Sequence, residues 1–271
     1  MSGETPIALL PMYDFPWTAA ANDALWAAIF ARLSEAGVQS PMNLTRGGDL
    51  AALWRHPRLV FGQSCGYPYV TGLNQAVALI AAPEYEFPGC EGAAHRSFII
   101  RRAGDPRRGL SEFRGATAAL NAHDSNTGMN LFRAAIAPFA RGAPFFRAIV
   151  VTGSHEASVE AIAGGQADLA SIDCVSFALI GRGRPELIER VAVVAESAPS
   201  PGLPFIASAR LGRSTIDAAR EALFAALADP TLAEERATLG LKGARAATAA
   251  DYDRVAELER NAAVMGYSRL A

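Results

Sequence analysis

Three short stretches gather the side chains best suited to holding a small polar ligand. They are Asp124-Ser125-Asn126-Thr127-Gly128, Thr152-Gly153-Ser154-His155-Glu156 and Ser64-Cys65-Gly66-Tyr67. Each follows an apolar run that reads as a strand, and each stands at or near the start of a helical pattern. After the first, Met129, Phe132 and Ile136 recur at helical spacing. The residues just before them, Ser125, Asn126 and Thr127, are types that favour a helix N-terminus. A helix start presents unpaired backbone N–H groups and the positive end of a dipole, so it holds an anion without any Lys. Gly128 would let the backbone approach that anion closely. His155 would add a donor whose charge changes near neutral pH. Asp173, after the apolar run over 167–172, can accept from a ligand hydroxyl or amine, and Tyr13 and Tyr67 offer a ring and an OH. Plainer readings stand beside these. Asp124 or Ser125 can simply cap its own helix, as can Asp173, and His155 can be a surface residue of a first turn. Either tyrosine can be a half-buried core aromatic.

Catalytic readings are thinner. Neither a Walker A loop nor a Gly-x-Gly-x-x-Gly stretch occurs. Cys65 beside Gly66 is a candidate nucleophile with His155 as base, against the plainer reading of a buried, inert thiol. The chain has 271 residues and a formal net charge of −2, so nothing in its electrostatics points to nucleic acid or a membrane surface. Its 3 cysteines are odd in number and far apart in sequence, which suggests no disulfide framework. The 4 histidines (His56, His95, His123, His155) never fall at metal-ligand spacing. No apolar run is long enough for a bilayer span, and Met1 to Pro6 lacks the pattern of a secretory leader. As written, the chain is expected in the cytoplasm.

The elements that must carry these stretches alternate. Strands are expected at 7–12, 43–46, 58–63, 76–82, 97–100, 117–121, 148–151, 167–172, 190–195 and 205–207. Helices are expected at 18–36, 49–54, 127–137, 154–163, 173–179, 214–228, 230–239 and 251–265. This is an α/β pattern. It restarts near residue 100 and breaks at the Pro-rich stretch Ser197 to Pro204. The expected layout is a discontinuous first lobe (1–98 and 203–271) and a second lobe (99–202), joined by crossings near 95–102 and 196–204. A cleft between such lobes is a common place for a small ligand.

Thr152 to Ala170, with its Gly-rich turn, its His and a Gly-x-x-Asp stretch leading to a strand, resembles the phosphonate/phosphate-type substrate-binding proteins of ABC transporters. Asp124 to Gly128 is similar to that family's Ser/Thr-rich anion loop, with Asn126 at one hydroxyl position. Asp173-Cys174-Val175-Ser176-Phe177 is similar to its acidic turn, and Phe61 to Tyr67 to its first-lobe loop. The resemblance runs from about Ile7 to Leu211. It implies a type II periplasmic-binding-protein (Venus-flytrap) fold that binds a small anionic ligand, without a cofactor, in the cleft. Ser125, Asn126, Thr127, Gly128 and His155 would hold the anion, with Tyr13, Tyr67 and Asp173 lining the rest. It also implies a monomer, an ABC permease as partner and a periplasmic location. The alternative is a cytoplasmic enzyme or a ligand sensor on the same fold, acting on a small anionic metabolite.

Overall fold

A computed structural model describes residues 4–271, so the first part of the Met1 to Pro6 stretch, where no leader pattern was expected, lies outside the described residues. The chain divides into two compact units. One comprises Met1–Glu86, Glu91–Ala93 and Gly202–Asp251, the other Phe87–Cys90, Ala94–Pro201 and Tyr252–Ala271.

The first unit is built on a five-stranded sheet in the order Ile7–Leu9, Leu59–Gln63, Phe205–Ser208, Val77–Tyr85, Leu241–Arg245. The first pair is parallel and the others are antiparallel. The central strands Leu59–Gln63 and Phe205–Ser208 are buried along their whole length, which explains their near-continuous apolar runs. The helix Ala19–Glu35 buries Leu25, Trp26, Ile29 and Leu33 on one face. It ends where Gly37 takes a φ of +71° and the Val38 N–H donates to the Leu33 carbonyl at 2.8 Å. The strand expected at 43–46 does not form. Only the Thr45 N–H reaches a strand, at the Ala8 carbonyl, while the Arg46 guanidinium is taken by Asp14 and Asp23. Those polar contacts hold the segment as a loop.

The second unit carries its own five-stranded sheet, in the order Ala148–Val151, Thr117–Leu120, Leu169–Asp173, Ser97–Arg102, Val191–Glu196. The first three strands are mutually parallel, and Ser97–Arg102 runs antiparallel to both of its neighbours. A short ladder pairs Ala94–His95 with Ser200–Pro201. The core gathers Ile99, Phe113, Phe132, Ile136, Phe145 and Leu169.

The expected lobe boundaries differ from the two units: residues 87–90 and 94–98, expected in the first lobe, fall in the second unit, and so do residues 252–271. Ala262 and Tyr267 of that last stretch belong to the core of the second unit. The helix Asp253–Val264 presents Val255, Leu258 and Ala262 inward and packs on the helix Leu131–Ala140. Polar contacts fix that docking. Asn130 Nδ2 donates to the Val255 carbonyl at 3.0 Å, and the buried Arg133 donates to the Ser268 carbonyl at 2.9 Å. The chain end closes it, as the Phe145 and Phe146 N–H groups both donate to the Ala271 carbonyl.

Candidate functional site

Three adjacent parallel strands of the second unit end on the same edge of the sheet. The loop after Thr117–Leu120 leads to Ser125, the loop after Ala148–Val151 leads to His155, and Leu169–Asp173 ends on Asp173 itself. Ligands of open α/β sheets collect outside the carboxyl ends of such strands, because loops and helix starts converge there. Ser125, Asn126, Thr127, Gly128, His155 and Asp173 therefore share one edge of one unit, which sequence spacing alone could not establish.

Ser125 caps the helix, its Oγ accepting from the Gly128 N–H at 2.9 Å. The first turn, Asn126–Asn130, is wound as a π-turn before the α-helix Leu131–Ala140 continues it. Such a bulge is common at functional sites. Thr127 is held from behind: its carbonyl accepts from Ser97 Oγ at 3.0 Å and from Ser171 Oγ at 2.6 Å. The Thr127 Oγ1 meets His155 Nε2 at 3.0 Å. Asn126 is turned inward, with Nδ2 donating to Ser200 Oγ at 2.8 Å and Oδ1 accepting from Asn130 Nδ2 at 3.0 Å. Its carboxamide thus ties the turn to the Ser200–Pro201 strand. Gly128 packs closely against Asn121: a Cβ there would lie 1.8 Å from Asn121 Oδ1, so the carboxamide would have to swing aside.

His155 is the first residue of the helix His155–Ala163, which Ser154 caps through the Ala157 N–H. It is not the surface residue of the plainer reading, because its Nδ1 is enclosed and has no hydrogen-bond partner among the described residues. Burial pushes its pKa down to about 4, so the ring is neutral at pH 7. Asp173 is a cap as well as a site residue: Oδ1 accepts from the Ser176 N–H at 2.9 Å. Its Oδ2 stands 3.1 Å from His95 Nδ1, and both side chains are buried. Burial works against charging either partner, but each one's charge outweighs this for the other. The His95 pKa is held above its ordinary value and that of Asp173 below. Both shifts favour the ion pair, whose two charges cancel locally.

His95 escaped sequence reasoning. It lies on the two-residue strand Ala94–His95, without local pattern, and it meets Asp173 through a chain separation that only the fold closes. Asn121, Ser97, Ser171 and Ser200 were missed for the same reason. Gly62-Gln63-Ser64-Cys65-Gly66 has the Gly-x-Ser-x-Gly spacing of a hydrolase elbow and lies between a strand and a short helix. That elbow holds its serine on a strained turn. Here Ser64 is fully buried, and among the described residues Arg141 is the non-glycine with positive φ. The backbone strain that would expose a nucleophile is missing at Ser64. Cys65, the other candidate nucleophile, is buried in the first unit, whereas His155 is in the second and is engaged by Thr127. Tyr13 and Tyr67 also belong to the first unit. Tyr13 is buried, its ring edge-on to Tyr85 with centroids 5.2 Å apart. Tyr67 is half-buried on the short helix Gly66–Pro68, and its carbonyl accepts from Thr71 Oγ1.

Comparison with known proteins assigns this arrangement. Residues 18–252 match the family model described as ABC transporter, phosphonate, periplasmic substrate-binding protein. Among solved structures, the chain is similar to a binding protein component of an ABC phosphonate transporter (PA3383) from Pseudomonas aeruginosa. The TM-score is 0.79 at 15% identity, over 97% of this chain and 88% of that one. It is also similar to PhnD1 from Prochlorococcus marinus, solved with methylphosphonate, with a TM-score of 0.74 at 12% identity over 95% and 98% of the two chains. XAC2383 from Xanthomonas citri, solved with ATP, gives a TM-score of 0.73 at 16% identity over 97% and 98%. None of the curated proteins compared with it matches the chain. At these identities the solved structures establish the type II periplasmic-binding-protein fold, while the family model spans most of the chain. The chain belongs to the phosphonate-type periplasmic substrate-binding proteins of ABC transporters.

Proposed function

We propose that the chain binds a small phosphate- or phosphonate-like oxyanion at the helix start Ser125 to Gly128 and presents it to an ABC permease in the periplasm. The observation that carries this reading is a set of enclosed polar atoms beside that helix start. Asn121 Oδ1, His95 Nε2 and His155 Nδ1 are buried without a hydrogen-bond partner among the described residues. Buried polar groups are nearly always satisfied, so three such atoms at one sheet edge call for a polar guest. The N–H groups of the helix start and its dipole supply donors and positive potential. The His95–Asp173 pair, 3.1 Å apart, adds local order without net charge, and the neutral His155 adds a donor or acceptor. An oxyanion keeping one proton would match this mixture, as its oxygens accept and its OH donates. Ser125, Asn126, Thr127, Gly128 and His155 are the anion's holders in this reading, and Asp173 lines the edge beside them. Tyr13 and Tyr67, carried by the first unit, stay in the proposal as side chains to be tested by substitution. No catalytic step is assigned.

A thermal-shift screen of phosphate, phosphite, methylphosphonate and sulfate tests the reading. A ligand at about 100 times its dissociation constant should stabilise the protein by roughly 2.7 kcal/mol. At least one phosphorus oxyanion should raise the melting temperature, and His155→Gln should shrink that rise. If none of the four shifts the transition, the reading is wrong.

A further inference from the structure

We propose that Cys90 and Cys174 form an oxidisable pair that closes into a disulfide, pinning the segment Phe87–Cys90 to the first turn of the helix Cys174–Gly183. The two thiols are 84 residues apart in sequence, yet their Sγ atoms stand 3.4 Å apart. Both lie in the same unit, so the approach belongs to a single packed body. A disulfide is about 2.05 Å long, so closure asks for little more than small χ1 rotations of two side chains.

Two independent features hold the segment against the helix. Gly89 has a φ of +89°, and a Cβ added there would stand 2.9 Å from Cys174 Cβ and 3.2 Å from its Sγ. Only a residue without a side chain lets the backbone pass this close. On the other side, the Arg182 guanidinium lies 4.6 Å from the centroid of the Phe87 ring, tying the same helix to the same segment. Cys174 follows Asp173 directly, so the bond would close beside the carboxylate that faces His95.

The thiols differ in access. Cys90 is half-exposed and Cys174 is fully buried. Hydrogen bonding to Cys90, together with burial, pushes the Cys174 thiol pKa well up, which keeps it protonated until a reagent has reached its neighbour. With a small-molecule disulfide such as oxidised glutathione as oxidant, the Cys90 thiolate attacks first. A mixed disulfide forms and one reduced glutathione leaves. Cys174 then gives up its proton and attacks Cys90 Sγ, and the second reduced glutathione leaves. Two protein thiols are oxidised to one disulfide as one small disulfide is reduced to two thiols. Cys65, buried in the first unit, takes no part.

The test is a thiol count. The reduced chain is treated with oxidised glutathione at mildly alkaline pH, unfolded in denaturant, and its remaining thiols are titrated. The count should fall from three to one, with the mass lower by two hydrogens and a proteolytic fragment joining Cys90 to Cys174. Cys65→Ser should then leave no thiol, and Cys90→Ser should leave Cys174 unlinked. Three surviving thiols, a bond that includes Cys65, or glutathione retained on Cys90 would each overturn the proposal, the last because it shows that Cys174 cannot complete the exchange. The oxidised protein should also melt several degrees higher than the reduced one, since the bond closes a long loop. The same rise in Cys90→Ser would count against it.

Discussion

At the scale of single residues, the candidate site combines crowded atoms with unpartnered ones. Gly128 is crowded. Its replacement by Ala would set a methyl 1.8 Å from Asn121 Oδ1 and 2.9 Å from Asn121 Cγ. We expect Gly128→Ala to lose about 1–3 kcal/mol in denaturant unfolding, as overpacked sites do, and to lose ligand binding with it. The two histidines should write opposite signatures on stability. The unfolded pKa of a histidine is about 6.5. His155, at about 4 when folded, binds fewer protons in the native state, so stability should fall as pH drops from about 6.5 toward 4. The part-buried ring makes that loss roughly 2–3 kcal/mol. His95, raised by Asp173, is the reverse case. Its contribution is complete below about 6.5 and is lost as pH rises through its folded pKa. Urea midpoints across pH should therefore peak near neutrality. His155→Gln should flatten the acid arm and His95→Gln the alkaline one.

At the scale of elements, the strands and helices that form the central sheets were legible because periodicity and punctuation agree there. Helix 18–36 was read from its apolar face and Gly37, and the structure gives Ala19–Glu35. The caps at Ser125 and Asp173 are legible from residue type, and each accepts a backbone hydrogen bond; Ser154, expected as the first residue of its helix, does the same as a cap. What failed was information that is not local. The strand Leu241–Arg245 was missed because Lys242 and two small residues give no apolar run, and its register comes from pairing with Val77–Tyr85. The strand expected at 43–46 dissolved into side-chain contacts of Arg46. The helix Asp253–Val264 was read as a helix but sent to the wrong unit, because its partner face on Leu131–Ala140 is 120 residues away. Truncation after Asp251 should expose the apolar face of Leu131–Ala140 and strip the buried Arg133 of Ser268 and Glu259. Returning that apolar face to water forfeits its burial free energy. The truncated chain should lose its cooperative unfolding transition, read by circular dichroism. A wild-type melt would contradict the assignment.

At the scale of the whole molecule, membership of a transport-protein family and a candidate site of neutral donors fit one job, reversible capture of a small anion. Among the described residues no helix is long and apolar enough to cross a membrane. With a net charge of −2, long-range steering of an anion is not what recruits it. On the proposed reading, capture depends on short-range donors at the helix start, where Gly128 packs closely against the Asn121 carboxamide. The most direct test is a calorimetric titration of methylphosphonate and inorganic phosphate into the wild-type protein and Gly128→Ala, with a substitution of the exposed Val264, Val264→Ala, as a control. Wild type and the control should bind at least one of the two saturably, with at least a 100-fold loss in Gly128→Ala. Equal affinity in wild type and Gly128→Ala would contradict the proposed site.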